Sequence, residues 1–545
     1  MVKNWLKSKL SYIALGFIIL HPILDVLSYF LSEYGDNTIS TLARFAFLLA
    51  ISLVGFMVSD QKRHYYIIYG VIGIFWLLHC LNCYRIGYQS VVADTSNYLR
   101  IVSLPIYTLS LVTFFKEGKR IRKSICIGFA VNLALIILFT AIPWLSGHPV
   151  YTYEAPLEIG VMGWFGVRSA QSAIIALITP ISILFAYRTK NDLFYLLTVT
   201  LTMLLLFMTG TKLTYYSILL ICAALIFLFW INHKNKSASL RYILPLALIL
   251  VLSVVFKSYS PTSQRDMRTA TAQGNYQGLV EASVKGSDTN SIGSSGARGS
   301  SKPRPLERYE EVERGRKVLF GVYTDKKVYG TIYKDINDRF GVYNVMDIFD
   351  NTTETSILSD SRERKLYFAK LVWTEKDTLT HLLGFEYSDM IHRATNYDLE
   401  NDFPAVYYFC GYIGFFFYML YFVYFFFIVI RAFTRNLLGF LTVEVGIVGI
   451  SFILALGAAQ ISGNVLRRPN VTGYFALIAA YLFDLCVLNP PEKVPLSVLL
   501  ENPNFIKFTK LPLVQKLRNW FQPLVSFCAK ASLRWQTALR KKKHA

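Results

Sequence analysis

The sequence predicts an all-α polytopic membrane protein with about twelve transmembrane helices and one large extracytoplasmic loop. Three observations carry that prediction. Mean hydropathy is +0.39 over 545 residues, with 54% hydrophobic and only 17% charged residues, against roughly 25% charged in soluble domains. The apolar residues gather in charge-poor blocks of about 20, the length a helix needs to cross roughly 30 Å of hydrocarbon. The 56 Lys and Arg, which outnumber 35 Asp and Glu to leave a net charge of +21, fall largely between those blocks. A nucleic-acid reader would gather them on one polar domain instead, so no nucleic-acid partner is expected.

The blocks place helices at Ser11 to Glu33, Thr38 to Val58, Ile67 to Gly87, Leu99 to Phe115 and Ile125 to Leu145. A second set follows at Ser169 to Tyr187, Leu193 to Gly210, Leu213 to Ile231 and Leu240 to Phe256. The last three run from Pro404 to Ile430, Leu438 to Ser462 and Val471 to Leu488. The first block is too long for a cleavable signal and has no small-residue cleavage pattern. Basic residues beside a span resist translocation, so the connections holding Lys62 and Arg63, Lys116 to Lys123, Arg188 and Lys190, Lys234 to Arg241, and Arg431 and Arg435 mark the cytoplasm. Tyr34 to Asn37 and Tyr88 to Tyr98 carry no Lys or Arg and face outward. The chain is thus expected in the plasma membrane with both termini cytoplasmic.

Four regions result: spans over 1–256, an extracytoplasmic loop over 257–403, spans over 404–488 and a tail over 489–545. Within the loop, Ala270 to Pro305 is rich in Gly, Ser, Thr, Asn and Gln, a composition that predicts disorder over 270–305. From Leu306 on, clusters such as Phe340 to Ile348 and Tyr367 to Trp373 predict short helices over the membrane mouth. The tail is basic and amphipathic, with Leu513, Leu517, Trp520 and Phe521 among Lys516, Arg518 and Lys530, and is expected to lie on anionic membrane lipid.

The cysteines lie in or beside apolar blocks, apart from Cys528 in the tail, which argues against a disulfide framework. Cys80 and Cys83 form a lone CxxC inside FWLLHCLNCY and read as packing residues. No metal and no cofactor is expected. The chemistry sits at the outer ends of spans: Arg168 in GWFGVRSAQSAI, Lys212 in MTGTKLTYY, and Asn464, Arg467 and Arg468 in SGNVLRRPNVTGYF. One such cation is an ordinary snorkelling residue, but several at outer turns break the charge bias and imply an anion. A lipid-linked diphosphate fits, because guanidinium groups grip phosphate oxygens in paired, charge-assisted hydrogen bonds. Arg362 and Arg364 open the passage into the tenth helix, LLGFEY makes a Gly-centred turn, and Asp398, Glu400 and Asp402 cluster at the membrane surface. Such a carboxylate can act as a base toward a sugar hydroxyl, or simply compensate the positive end of a helix. His392 competes as base, and His21 with Asp25 is an ionisable pair inside a span.

These pieces resemble the O-antigen ligase and polymerase superfamily of bacterial membrane proteins, particularly the versions seen in Gram-positive bacteria. The resemblance rests on GWFGVRSAQSAIIALITPI, the GTK turn at Gly210 to Lys212, SDSR around Arg362, LLGFEY, ENDFPAVYYFCGYIG and SGNVLRRPNVTGYFALI, in that order, from about Gly160 to Leu488. It implies a metal-independent glycosyltransferase of the cell envelope, acting at the outer membrane face. The donor is an undecaprenyl-diphosphate-linked oligosaccharide and the acceptor a hydroxyl of a glycan or lipid, with a polymerase preferred to a ligase. Other envelope-assembly proteins are conceivable partners. Arg362 then matches the arginine that grips diphosphate, Arg168, Lys212, Arg467 and Arg468 join it, and Glu400 and Asp402 stand where ligases show a His-Asn pair. The reading requires Arg168, Arg362 and Glu400 to share one cleft. A transporter or flippase of lipid-linked or anionic glycans is the alternative, and would place polar residues at midplane in repeated halves; a non-catalytic assembly partner is the third.

Overall fold

The computed structural model describes residues 2–34, 38–154, 157–232, 236–289, 316–317, 319–324, 329–352, 354–393, 395–463 and 465–492. The basic tail expected to bind lipid lies outside the described residues from 493 on. Among the described residues the chain is almost entirely helical, and eleven helices are long and apolar enough to cross a membrane. Nine helices precede the loop: α1 (Val2–Glu33), α2 (Thr38–Val58), α3 (Lys62–Ile86), α4 (Val91–Glu117), α5 (Ile121–Leu145), α6 (Arg168–Arg188), α7 (Asp192–Thr209), α8 (Lys212–Asn232) and α9 (Lys236–Val255). The ninth is the expected span that falls short: its apolar part, Leu240–Val255, reaches about 24 Å at 1.5 Å per residue.

Boundaries differ where a polar first turn hides a helix start. The sequence places 88–98 in a loop, yet α4 begins at Val91, capped by the Ser90 hydroxyl, which accepts from Ala93 N (3.3 Å). Those roughly two extra turns carry Asp94 and Asn97, both buried against other elements. Likewise α10 (Pro261–Thr289) covers the first part of the segment whose composition predicts disorder. Ala, Gln, Met and Glu there have high helix propensity even though few apolar groups are available for a core.

Successive helices run antiparallel, so one end of the bundle collects the ends of α1, α3, α5, α7 and α9 and the starts of the helices that follow them; this is the loop side. There 330–383 folds as α11 (Gly330–Phe340), α12 (Val342–Ile348), α13 (Thr355–Leu358), α14 (Ser361–Thr374) and α15 (Thr378–Leu383). Aromatic stacking joins them: Phe349 lies on Tyr367 and Phe368 on Tyr397, each 4.0 Å between ring centroids. The hairpin β1 (Ile391–His392) and β2 (Thr395–Asn396) leads to α16 (Asp402–Phe440), α17 (Val443–Ile461) and α18 (Pro469–Phe483).

Helices α6 and α18 are buried nearly throughout. Hydrocarbon offers no hydrogen-bond partners, and three hydroxyls of α6 are satisfied within the helix: Ser172, Thr179 and Ser182 donate to the Arg168, Ile175 and Ile178 carbonyls at 2.7–3.0 Å. The head of α16 is broken at Gly411 (φ 62°), where the Gly384 turn (φ 89°) packs backbone to backbone. A Cβ on Gly384 would strike the Phe409 carbonyl and one on Gly411 the Leu382 backbone, so both glycines supply close approach as well as positive φ. Phe385 N donates to Tyr408 O across this junction (3.2 Å). The LLGFEY turn is thereby fixed to α16.

Candidate functional site

A cleft of about 220 Å³ opens on the loop side between α1, α2, α4, the start of α6 and the turn before α18. Four arginines line it: Arg44, Arg100, Arg467 and Arg468. Their partners differ, and the difference defines the site. Arg44, near the start of α2, donates from Nη2 to Asp25 Oδ1 of α1 at 2.6 Å, with both side chains largely buried. Arg467 donates from Nη1 to Asn97 Oδ1 (3.1 Å) and Asp398 Oδ1 (3.0 Å), and from Nη2 to the Leu399 carbonyl. Burial acts to lower its pKa, but the Asp398 and Asp402 charges outweigh burial and raise it. Arg467 is therefore a fixed strut.

Arg100 and Arg468 have no carboxylate within ion-pair distance among the described residues, and Arg100 Nε is buried without a hydrogen-bond partner. Burial pulls the half-buried Arg468 below the usual guanidinium value; the Arg100 and Arg467 charges reinforce this against the opposing pull of Asp398. Gln171 of α6, which also lines the cleft, holds a buried Nε2 without a partner. With Arg44 matched by Asp25 and Arg467 by Asp398, two guanidinium charges and an amide donor remain unmet. Buried donors of this kind are costly unless something accepts from them, and an anion satisfies both arginines at once.

The turn that carries Arg467 and Arg468 is built on Asp402. This carboxylate, fully buried at the head of α16, accepts from the backbone N–H groups of Val465 (2.6 Å), Leu466 (2.9 Å) and Arg467 (3.3 Å). Gly463 (φ 75°) lets the turn pass against the Glu400 carbonyl, and Thr472 Oγ1 closes it by donating to Arg468 O at 2.8 Å. Asp402 is therefore the anchor of a turn, with both of its oxygens engaged by backbone N–H groups.

Of the eight residues expected at the site, Arg467 and Arg468 line the cleft. Arg362 and Glu400 do meet, but as partners: Nε to Oε2 at 2.8 Å, with Lys365 on Oε1 at 2.9 Å. Arg362 also donates to the Ile461 (2.9 Å) and Ser462 (3.0 Å) carbonyls, a cation at the negative end of α17. Arg168 is exposed, 5.2 Å above the Tyr153 ring that Arg265 also covers. Lys212 pairs with Asp266 at 3.4 Å, and His392 sits in the β1 hairpin with a buried Nε2 that has no partner. Thus Arg168, Arg362 and Glu400 do not share the cleft, so the arrangement required of those three is not met and the cleft rests on other arginines; Asn464 lies outside the described residues. His21 lies beside Tyr474, bonded to the Phe17 carbonyl (2.6 Å), and does not line it. The residues that sequence reasoning passed over are Arg44, Arg100 and Gln171. The first two carried a usable signal, a guanidinium inside an apolar block.

Burial acts to raise the Glu400 carboxyl, but hydrogen bonds and charge from Lys365 and then Arg362 prevail and hold it below its ordinary value. A carboxyl lowered by folding stabilises the fold above its unfolded value and loses that contribution as pH falls through the folded one. The thermal-midpoint advantage of wild type over Glu400→Gln is thus expected to stay constant from neutral pH to about 4.5 and to vanish below it. An advantage that grows on acidification contradicts the pairing.

Fold and cleft together define a multi-pass membrane protein with an arginine-lined cleft at one end of its helical bundle. The chain belongs to the family described as O-antigen ligase like membrane protein, which matches residues 7–486, from within α1 to the last turn beyond α18. That family makes it a glycosyltransferase-type membrane enzyme, a glycan ligase or polymerase whose substrates are a lipid-linked glycan and a glycan acceptor. No curated protein matches the chain.

Proposed function

We propose that the chain is a cell-envelope polysaccharide polymerase or ligase that takes its glycan from an undecaprenyl-diphosphate carrier, with the diphosphate seated between Arg100 and Arg468. The observation that carries this reading is the pair of unmatched guanidinium groups, joined by the Gln171 amide, in a cleft at the loop side. The distribution of Lys and Arg between spans supports placing that side outside the cytoplasm, and the apolar basic tail supports anchoring to anionic lipid.

In the reaction, an acceptor hydroxyl oxygen attacks the anomeric carbon and the bond from that carbon to the diphosphate oxygen breaks. The bonding pair leaves on the diphosphate and the hydroxyl proton passes to a base. Negative charge grows on the leaving group, where two arginines already placed in the cleft stabilise it without reorganisation. Arg467 and Asp402 act on the turn and hold Arg468 in position. Glu400, the carboxylate assigned as base from sequence, is committed to Arg362 and Lys365, so that role requires those two ion pairs to open; a carboxylate so held is a weak proton acceptor.

Purified protein incubated with a lipid-diphosphate-linked oligosaccharide is expected to yield longer or acceptor-linked glycan together with free lipid diphosphate. A transporter or an assembly partner releases no diphosphate, and that outcome removes the enzyme reading.

A further inference from the structure

We propose that His79, Cys83 and Asp94 bind one divalent metal ion, zinc by its chemistry, which fastens the LLGFEY turn of the loop to the membrane bundle. His79 and Cys83 are four residues apart on one face of α3, and Asp94 sits in the first turn of α4. All three are buried. His79 Nε2 is 2.9 Å from Asp94 Oδ2 and 3.4 Å from Cys83 Sγ, and the three ligand atoms lie within 4.8 Å of one another.

The other ring nitrogen decides what lies among them. His79 Nδ1 is 2.8 Å from the Leu383 carbonyl oxygen, which only accepts, so Nδ1 carries the proton. Nε2 then faces a carboxylate oxygen and the Cys83 sulfur. An imidazole lone pair and a carboxylate oxygen this close in a buried site repel unless a proton or a cation lies between them. Protons can fill that place, with Cys83 as its thiol. One divalent ion replaces them and engages all three donors, thiolate and carboxylate balancing its double positive charge.

Nitrogen, sulfur and oxygen donors together suit zinc, whose bond lengths of about 2.0–2.3 Å set tetrahedral ligand edges of roughly 3.3–3.6 Å. The nitrogen–sulfur separation already matches, and the nitrogen–oxygen edge has to open by a few tenths of an ångström. The surroundings resemble the supports that orient metal ligands: a carbonyl on the distal imidazole nitrogen, and donors holding the carboxylate. Tyr88 Oη donates to Asp94 Oδ2 (2.6 Å) and Tyr387 N to Oδ1 (3.0 Å). Two of these supports, Leu383 and Tyr387, belong to the loop, and the intervening Glu386 accepts from Gln89 N (2.8 Å) and Ser90 N (3.1 Å) in the α3–α4 connection. Metal binding at α3 and α4 therefore also fixes the turn that abuts the break in α16. This inference stands apart from the proposed reaction: the ion is structural.

The test loads full-length protein in detergent with zinc chloride, removes free metal by gel filtration, and measures bound zinc by mass spectrometry. About one ion per chain is expected in wild type and in Cys80→Ser, and under a tenth of that in Cys83→Ser and Asp94→Asn that elute as folded protein. Cobalt in place of zinc is expected to show a thiolate charge-transfer band in wild type that Cys83→Ser lacks. Wild type without zinc after loading, or Cys83→Ser retaining the wild-type content and band, overturns the proposal. Cys83→Ser is nearly isosteric, so it decides the question even where Asp94→Asn does not fold.

Discussion

Replacing Arg468 or Arg100 with Ala is expected to slow release of lipid diphosphate by about 10²–10³-fold while leaving the protein monodisperse in detergent. Neither side chain has a carboxylate within ion-pair distance among the described residues, and the Arg100 and Arg467 charges bear on Arg468, so truncation removes repulsion from the resting protein and stabilisation from the transition state. The resting fold therefore loses little. Arg468→Lys keeps the charge but not the two-pronged donor geometry, and should fall between wild type and Ala. The double Ala variant is expected to cost far less than the product of the singles, because two groups on one leaving group act as a unit. Initial rates of diphosphate release at saturating donor decide the matter; single variants within about threefold of wild type would place the leaving group elsewhere.

Asp402→Ala is expected to behave in the opposite way, unfolding the turn and losing activity as a consequence. The carboxylate meets three buried backbone N–H groups, and an orphaned buried donor costs about 1–3 kcal/mol. Partial relaxation leaves about 3–5 kcal/mol for the whole turn, large against the margin by which domains are folded. Arg467 and Arg468 hang from this turn, so thermal midpoint and transfer rate should fall together. Asp402→Asn keeps one acceptor but turns its amide hydrogens toward the remaining N–H, and should recover only part of the loss. If Asp402→Ala keeps the wild-type midpoint yet loses activity, the residue acts on substrate and the anchoring role fails. The contrast with Arg468→Ala, which loses rate without midpoint, separates the residues that touch the leaving group from those that hold them.

Only part of the candidate site was open to sequence reading, and its pairings were not. The outer turn with Arg467 and Arg468 was recognisable because cations there violate the usual charge bias. Arg362 and Glu400 were both singled out in the sequence, but that they pair with each other was not visible, since residues 38 apart meet only when α14 packs against the segment leading into α16. Arg44 and Arg100 were visible as charges within apolar blocks, yet nothing in either helix says that they turn toward one cleft. Cys83 read as packing for the same reason: its His79 neighbour is local, while Asp94 reaches it through a helix start concealed in a polar stretch.

What the sequence determined by itself is eleven of its twelve expected spans and the family. Each follows from a cost that a segment meets alone: no backbone or charged group enters hydrocarbon unless its own helix shields it. Tertiary structure decided which charges are spent on one another and which stay available. Whether a guanidinium is a strut, as Arg467 is, or a free donor, as Arg468 is, depends on what remote helices bring within 3–4 Å, and that is a property of packing rather than of any local run of residues.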